Sequence, residues 1–243
     1  MSYYRRASIS FGPPLTGMVK YLIVVTSAVF LITYLPEQIL GLQPYDRVWF
    51  GLFPYLVTHH FEVWRLFTYL FLHAGWFHII FNMFALWMFG SDLERRWGSR
   101  QFLFYYFLTG IGAGICTVVL QPSSELPTIG CSGAIFGLLL AYGMFFPDRP
   151  ILLWMIIPIK AKWFVVLMGA IEFVSSFSDP GSGISHVAHL GGMLFGYVYL
   201  RGGGVPYLWQ TRYRDWRRAR LRRKFEVYMR KHEKKDDTGN WIN

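Results

Sequence analysis

Six apolar stretches separated by shorter polar segments divide the chain. A helix that crosses a bilayer needs roughly 17–25 mostly apolar residues, so each stretch predicts one spanning helix. Four of the stretches contain no Asp, Glu, Lys or Arg, whereas the first begins near Lys20 and the fifth contains Glu172. The predicted spans are residues 18–35, 66–90, 102–120, 129–147, 163–178 and 184–200.

A seventh apolar run, residues 151–159, is short and is interrupted by Pro158. We interpret it as an interfacial loop before the fifth span, and a count of seven spans stays open. The long apolar stretch of the first span, followed by Pro36, Glu37 and Gln38, is unlike a cleaved signal peptide.

Composition agrees with a membrane protein. Of the 243 residues, 53% are hydrophobic and 16% are charged, against roughly a quarter charged in a soluble domain. The sequence predicts an all-α, polytopic membrane protein with a six-helix membrane domain at residues 18–200. An N-terminal segment, residues 1–17, precedes it, and a basic tail, residues 201–243, follows. Cys116 and Cys131 lie in apolar stretches, and we expect no disulfide, metal site or cofactor.

The basic residues between the spans predict the orientation, because positive loops stay in the cytoplasm. Clusters occur before the first span, between the second and third, and between the fourth and fifth. Both termini are therefore expected in the cytoplasm, most simply at a bacterial inner membrane. The clusters are Arg5, Arg6 and Lys20; Arg95, Arg96 and Arg100; and Arg149, Lys160 and Lys162.

The C-terminal tail carries much of the net charge. Residues 201–243 hold 13 Lys or Arg and 5 Asp or Glu, so 13 − 5 = +8 of the formal +10. The tail could bind anionic lipid, at roughly 1 kcal/mol per basic residue near the membrane. It could also be a solvated tail that follows the positive-inside rule. Nucleic-acid binding is not predicted, because no nucleic-acid-reading motif accompanies the charge.

Polar side chains inside the spans mark a candidate site, because ionisable groups in a bilayer are costly and usually functional. They are concentrated in the second, fourth, fifth and sixth spans. The set is His73, His78, Asn82, Ser132, Glu172, His186 and His189.

Ser132 lies between glycines at the start of the fourth span. The pattern Gly130-Cys131-Ser132-Gly133 differs from the nucleophile elbow of soluble hydrolases, because Ala134 replaces the last glycine of that motif. A serine at a helix start lies beside free backbone N–H groups that can stabilise an oxyanion. Ser132 is therefore the candidate nucleophile.

His189 is the candidate base. At about 100° per residue it projects within roughly 20° of Gly196 and 60° of Gly192, on a face that small residues allow to pack closely. If that face meets the fourth span, the imidazole reaches Ser132 and activates its hydroxyl. No acid in the spans is an obvious partner, so we predict a Ser–His dyad. His186, nearer the outer end, is expected to have a surface or gate role.

His78 and Asn82 are four residues apart and share one helix face. Both side chains can donate hydrogen bonds to an oxyanion. They could also join helices through hydrogen bonds without a catalytic role.

Together these residues resemble the motifs of the rhomboid intramembrane serine proteases. The resemblance extends over nearly all of residues 18–200. Each motif alone is a weak signal, but together the motifs are specific for this family. They are Trp64-Arg65 in the first loop; His73, His78 and Asn82 spaced as H-x4-H-x3-N; Gly90 and Glu94; Gly130, Ser132 and Gly133; and Ala188-His189 with Gly192 and Gly196.

The resemblance implies a six-helix bundle that cuts peptide bonds in or near transmembrane segments of other proteins. It implies an oxyanion hole made by His78, Asn82 and the Ser132 backbone N–H. Members often carry a tyrosine four residues after the serine, where this chain has Phe136, so ring stacking is expected without a hydroxyl hydrogen bond.

Two other functions remain open at this stage. An inactive rhomboid relative that binds and escorts membrane proteins would typically lack the serine or the histidine. A small transporter would show inverted repeats with broken helices in matching halves.

Overall fold

The computed structural model describes residues 13–43, 45–153, 157–178, 185–204, 220–223 and 225–226. The chain divides into two compact units, Met1–Arg201 and Gly202–Asn243. Most of the basic tail and residues 1–12 lie outside the described residues. In the second unit, residues 220–223 and 225–226 are helical.

The first unit is mostly helical. Its elements are α1 Gly17–Leu40, α2 Tyr45–Phe50, α3 Pro54–His60, α4 Arg65–Thr68, α5 Trp76–Ala85, α6 Ser91–Trp97, α7 Ser99–Leu120, α8 Ser132–Phe145, β1 Pro150–Leu153, β2 Ile157–Lys160, α9 Ala161–Ser178 and α10 His186–Arg201. A 3-10 turn, Tyr69–Phe71, extends α4, and a π-helical turn, Leu86–Gly90, joins α5 to α6.

Helices α1, α7 and α9 are long and apolar enough to cross a membrane. A fourth span is possible if Arg65–Phe71 and Trp76–Trp97 count as one, although the two parts are bent by 97°. The remaining two predicted spans coincide with the shorter helices α8 and α10. The chain is a multi-pass, predominantly α-helical membrane protein, and the six-span count stays a prediction.

Two sequence expectations were wrong in detail. Residues 66–90 do not form one helix, because the chain bends between Phe71 and Trp76. Residues 151–159 are not a simple loop, because β1 and β2 pair antiparallel with Ile151 opposite Ile159. The small hairpin adds a β element to a fold expected to be entirely helical.

Helix α8 forms the centre of the bundle. Its residues from Gly133 to Leu139 are all buried, as expected for a helix that is apolar on every side. It packs against α7, α9 and α10. Small residues allow the close approach, since a methyl group at Gly192 on α10 would lie 1.9 Å from the Gly133 carbonyl oxygen.

The α7 helix closes the other side of this contact. A methyl group at Gly137 would lie 2.5 Å from Cβ of Thr109, and one at Gly196 would lie 2.3 Å from the Tyr105 hydroxyl. The predicted Gly192–Gly196 face is thus shared, because Gly192 meets α8 whereas Gly196 meets α7. Three helices therefore hold one another at short range around the start of α8.

Glu94 links the first helix to this assembly. Its carboxylate accepts hydrogen bonds from the backbone N–H groups of Met18, at 2.9 Å, and Val19, at 3.1 Å. The hydroxyls of Thr16 and Ser99 also donate to it. A carboxylate at the start of two helices satisfies N–H groups that lack helical partners. The Gly90–Glu94 motif therefore has a structural role in helix capping.

Candidate active site

Ser132 is the first residue of α8. The turn before it is set by Gly130, whose φ of +109° favours glycine, and the Gly130 N–H donates to the Tyr69 carbonyl at 2.9 Å. A side chain at position 130 would also collide with the His78 ring, 2.7 Å from a methyl group there. Two independent constraints therefore select glycine two residues before the candidate nucleophile.

His189 lies near the start of α10 and is buried. Its Nε2 is 2.7 Å from the Ser132 Oγ, a hydrogen-bond distance. The contact depends on the close packing at Gly192, one turn further along α10. The helix face that carries His189 and Gly192 therefore meets the start of α8, as the spacing predicted.

Phe136 fixes the plane of the His189 ring. The two rings are stacked, with centroids 4.3 Å apart and planes inclined by 12°. Phe136 is one turn after Ser132 on α8, so one helix supplies both the candidate nucleophile and the ring that supports the candidate base. The phenyl ring provides the stacking that the family resemblance implied, without a hydroxyl.

Glu172 belongs to the polar set predicted from the sequence, but its contact with His189 was not predicted. It lies on α9 and is buried, and its Oε2 is 2.9 Å from Nδ1 of His189 and 2.6 Å from Nδ1 of His186. The expectation that no acid partners His189 was therefore wrong. The available signal was that Glu172 is the single acid in any predicted span.

His186 is not simply a surface residue. Its side chain is mostly buried, and it forms a hydrogen bond with Glu172. The nitrogen and oxygen donors of Glu172, His186 and His189 lie within 4.8 Å of one another, so these three residues could hold a metal ion.

His78 presents a hydrogen-bond donor to the site. Its Nδ1 accepts from the Ala74 backbone N–H at 3.3 Å. In a neutral imidazole the proton is then on Nε2, the nitrogen that faces Gly130. Asn82 uses one of its two amide N–H groups to donate to the His78 carbonyl, at 2.9 Å. Its second N–H can donate to another acceptor.

His73 supports the site from behind. It is 3% exposed, its ring contacts His78 edge-on at 4.8 Å between centroids, and its Nε2 is 3.7 Å from the Cys131 Sγ. It does not line the cavity that contains Ser132. Its neighbours indicate that it holds the His78 ring and the turn before Ser132.

Trp64 and Arg65 organise the first loop away from the catalytic pair. The Arg65 guanidinium is buried and donates to the carbonyls of Val48 and Gly51, both at 2.8 Å. It also pairs with Glu62 at 2.5 Å. Trp64 is about half exposed, and its indole N–H donates to the Trp49 carbonyl. Arg65 therefore connects α2 and α4 rather than reaching Ser132.

A cavity of about 490 Å³ brings the polar residues together. Its wall combines the catalytic candidates with apolar side chains of α5, which suits a peptide segment that is partly apolar. The lining residues are Ala74, Phe77, His78, Phe81, Asn82, Thr128, Ile129, Ser132, Ser185 and His189.

Comparisons with known proteins agree with this geometry. A family model described as the rhomboid domain matches residues 60–203, more than half of the chain. The chain is 35% identical over 150 residues to rhomboid protease GluP of Bacillus subtilis. The aligned region covers 60% of this chain and 27% of the Bacillus protein. It is also 34% identical over 152 residues to RHOMBOID-like protein 1 of Arabidopsis thaliana. That match covers 60% of this chain and 36% of the Arabidopsis protein.

A third relative, Rhomboid-like protease 2 of Toxoplasma gondii, is 30% identical over 166 residues, covering 67% of this chain and 56% of that protein. The chain thus matches 27%, 36% and 56% of the lengths of these three relatives. The region matched by the family model, residues 60–203, includes every residue of the candidate site.

Proposed function

The chain belongs to the rhomboid family, and we propose that it is an intramembrane serine endopeptidase. Its substrates would be membrane proteins, cut in or near their transmembrane segments. The observation that carries the proposal is the 2.7 Å separation between Ser132 Oγ and His189 Nε2 in a cavity within an apolar bundle. Two of the relatives above are named as proteases.

In the proposed reaction the Ser132 hydroxyl donates its proton to His189 as Oγ attacks the scissile carbonyl carbon. The resulting imidazolium then protonates the leaving amine, which breaks the peptide C–N bond and leaves an acyl-enzyme. A water molecule then attacks the acyl carbon and gives its proton to His189, which passes it to Ser132 Oγ as the ester bond breaks and the carboxylic acid leaves. Neither step requires a cofactor.

The oxyanion formed in each step needs hydrogen-bond donors. The Ser132 backbone N–H is in the first turn of α8, where helical partners are lacking. The His78 Nε2–H and the second Asn82 N–H, deduced above from their other hydrogen bonds, complete the proposed set. Loss of one such donor typically costs 10²–10³ in rate.

We further propose that both termini face the cytoplasm of a bacterial cell, since the basic loops all fall on one side. The catalytic pair would then lie toward the opposite surface. The basic tail would meet the cytoplasmic leaflet, where anionic lipid is its expected partner.

The test is cleavage of a single-span membrane protein by the purified chain in liposomes, with the cut position mapped by mass spectrometry. We expect a cut in or within a few residues of the span, and none in a soluble unfolded protein such as casein. A catalytically inactive escort protein would instead bind the span and leave it intact, which would contradict the proposal.

A helix in lipid must unwind before its backbone can enter a protease site, at the cost of unpaired peptide groups. Inserting a leucine-rich helical stretch at the mapped cut should therefore slow cleavage. Unchanged cleavage would count against entry of an unwound segment.

A further inference from the structure

Glu172 is a buried carboxylate in the outer half of a helix that otherwise presents mainly apolar side chains. Among the described residues, its close polar contacts are the two imidazoles of α10, His186 and His189. A carboxylate within a spanning helix is costly unless it is paired. Its retention opposite the candidate base therefore calls for a role.

The carboxylate determines which nitrogen of His189 carries the proton. An ionised carboxylate only accepts hydrogen bonds, so Nδ1 at 2.9 Å must be the protonated nitrogen. The lone pair is then on Nε2, the atom 2.7 Å from the Ser132 hydroxyl. In the other neutral tautomer, Nε2 would carry hydrogen and could not accept the serine proton.

The same carboxylate can stabilise the protonated ring. When His189 takes the serine proton it becomes a cation, and Glu172 is the acid beside it. Opposite charge within hydrogen-bond distance favours the ion that forms during catalysis.

His186 holds the carboxylate in this position. Its Nδ1 is 2.6 Å from the same oxygen, Oε2, that approaches His189. That hydrogen bond is aligned, whereas Nδ1 of His189 has no aligned partner among the described residues. Catalytic hydrogen bonds are often poorly aligned before substrate binds and tighten in the reacting complex. A small rotation of the His189 ring would complete the contact.

We infer that Glu172 is a positioning residue for His189, so that the catalytic unit is Ser132–His189–Glu172 rather than a dyad. The inference rests on the proposed function, because it assigns a role within the same reaction. A competing explanation is that Glu172 only joins α9 to α10 through hydrogen bonds.

The experiment compares Glu172→Gln, Glu172→Asp and Glu172→Ala in the liposome assay, with thermal melts. Glutamine keeps the volume and one acceptor oxygen but loses the charge and can stabilise the wrong tautomer. We expect Glu172→Gln to lower kcat by about 100-fold with KM within about twofold, at an unchanged Tm. Glu172→Asp restores a carboxylate and should retain at least about tenfold more kcat than Glu172→Gln.

Labelling of Ser132 by a fluorophosphonate probe gives a readout that is independent of substrate, and its rate should fall in parallel with kcat. Glu125→Gln is the matched control, since it removes one carboxylate charge from an exposed loop residue. It should leave both cleavage and labelling unchanged.

Wild-type kcat in Glu172→Gln, within about threefold, would overturn the inference while leaving the proposed function intact. Loss of activity confined to Glu172→Ala, together with a lower Tm, would likewise overturn it in favour of a structural link. A wild-type protein that neither cleaves nor reacts with the probe would overturn both.

Discussion

The contact of α10 with α8 is much tighter than its contact with α9. A methyl group at Gly192 would lie 1.9 Å from the Gly133 carbonyl oxygen, so the α8–α10 contact has no space for a side chain. A methyl group at Gly169 of α9 would lie 3.3 Å from the mobile end of Met193. Backbone packing at Gly192 thus constrains the Ser132–His189 distance, whereas at Gly169 helix α9 meets a side chain of α10.

Helices α8 and α9 also differ in how many of their residues are buried. Residues Gly133 to Leu139 of α8 are all buried, but the buried residues of α9 are Ala161, Val165 and Glu172. Ala161 and Val165 pack near Gly143 of α8, far along the helix from the catalytic pair. In the C-terminal half of α9, Glu172 is the buried residue, and its polar contacts link α9 to α10. The candidate nucleophile and base therefore lie on a close-packed core, whereas the carboxylate beside the base comes from a less buried helix.

The largest effect is expected at the nucleophile. Ser132→Ala should reduce cleavage by about 10⁴-fold or more, because the covalent step disappears. Its Tm should stay within a few degrees of wild type, since only one small hydroxyl is removed. Cleavage within tenfold of wild type, measured by product formation in liposomes, would contradict the role of Ser132.

A smaller but still large effect should follow from Gly192→Ala. The added methyl cannot fit against the Gly133 carbonyl, so α8 and α10 must separate, at an overpacking cost of about 1–3 kcal/mol. Displacement of His189 by even about 1 Å should lower kcat by about 100-fold. Wild-type Tm and cleavage would indicate that the glycine contact does not set the catalytic distance.

His186→Ala should have a moderate effect. Glu172 would lose its aligned hydrogen bond but keep its approach to His189, so the rate should fall by about tenfold, or about 1.4 kcal/mol. His189→Ala, made in parallel, should remove activity. If His186→Ala were inactive and His189→Ala active, the assignment of the base would be wrong. Single-turnover cleavage rates of the two variants, compared at equal Tm, show which histidine is the base.

The smallest effect is expected from Gly169→Ala. The methyl would meet the flexible end of Met193, which can rotate away, and alanine has the better helix propensity. Cleavage should stay within about twofold of wild type and Tm should not fall. A loss as large as that of Gly192→Ala would remove the distinction between the two helix contacts.

The sequence predicted that Ser132 and His189 lie side by side, because glycines mark both sides of their contact. Gly130 and Gly133 flank Ser132, and Gly192 shares a helix face with His189, so spacing alone indicated which faces meet. Such local, periodic features are visible without coordinates. The stacking of Phe136 was implied by the family resemblance and not by the spacing alone.

Glu172 could not be paired from the sequence, because its partner is on another helix and depends on how α9 is rotated. No glycine pattern on α9 specifies that rotation. The bend between Phe71 and Trp76 was missed for a similar reason, since hydropathy measures burial in lipid and not helix direction. The hairpin of β1 and β2 was missed because each strand has only four residues, too few for a clear alternating pattern.

Mapping the residue modified by a fluorophosphonate probe tests the central claim most directly. The probe reacts with a serine that an adjacent base has activated, so it reports the Ser132–His189 pair without any assumption about substrate. We expect modification of Ser132 in the wild type and no modification of this position in Ser132→Ala or His189→Ala at matched Tm. Modification of a different serine, or equal labelling of Ser132 in His189→Ala, would contradict it.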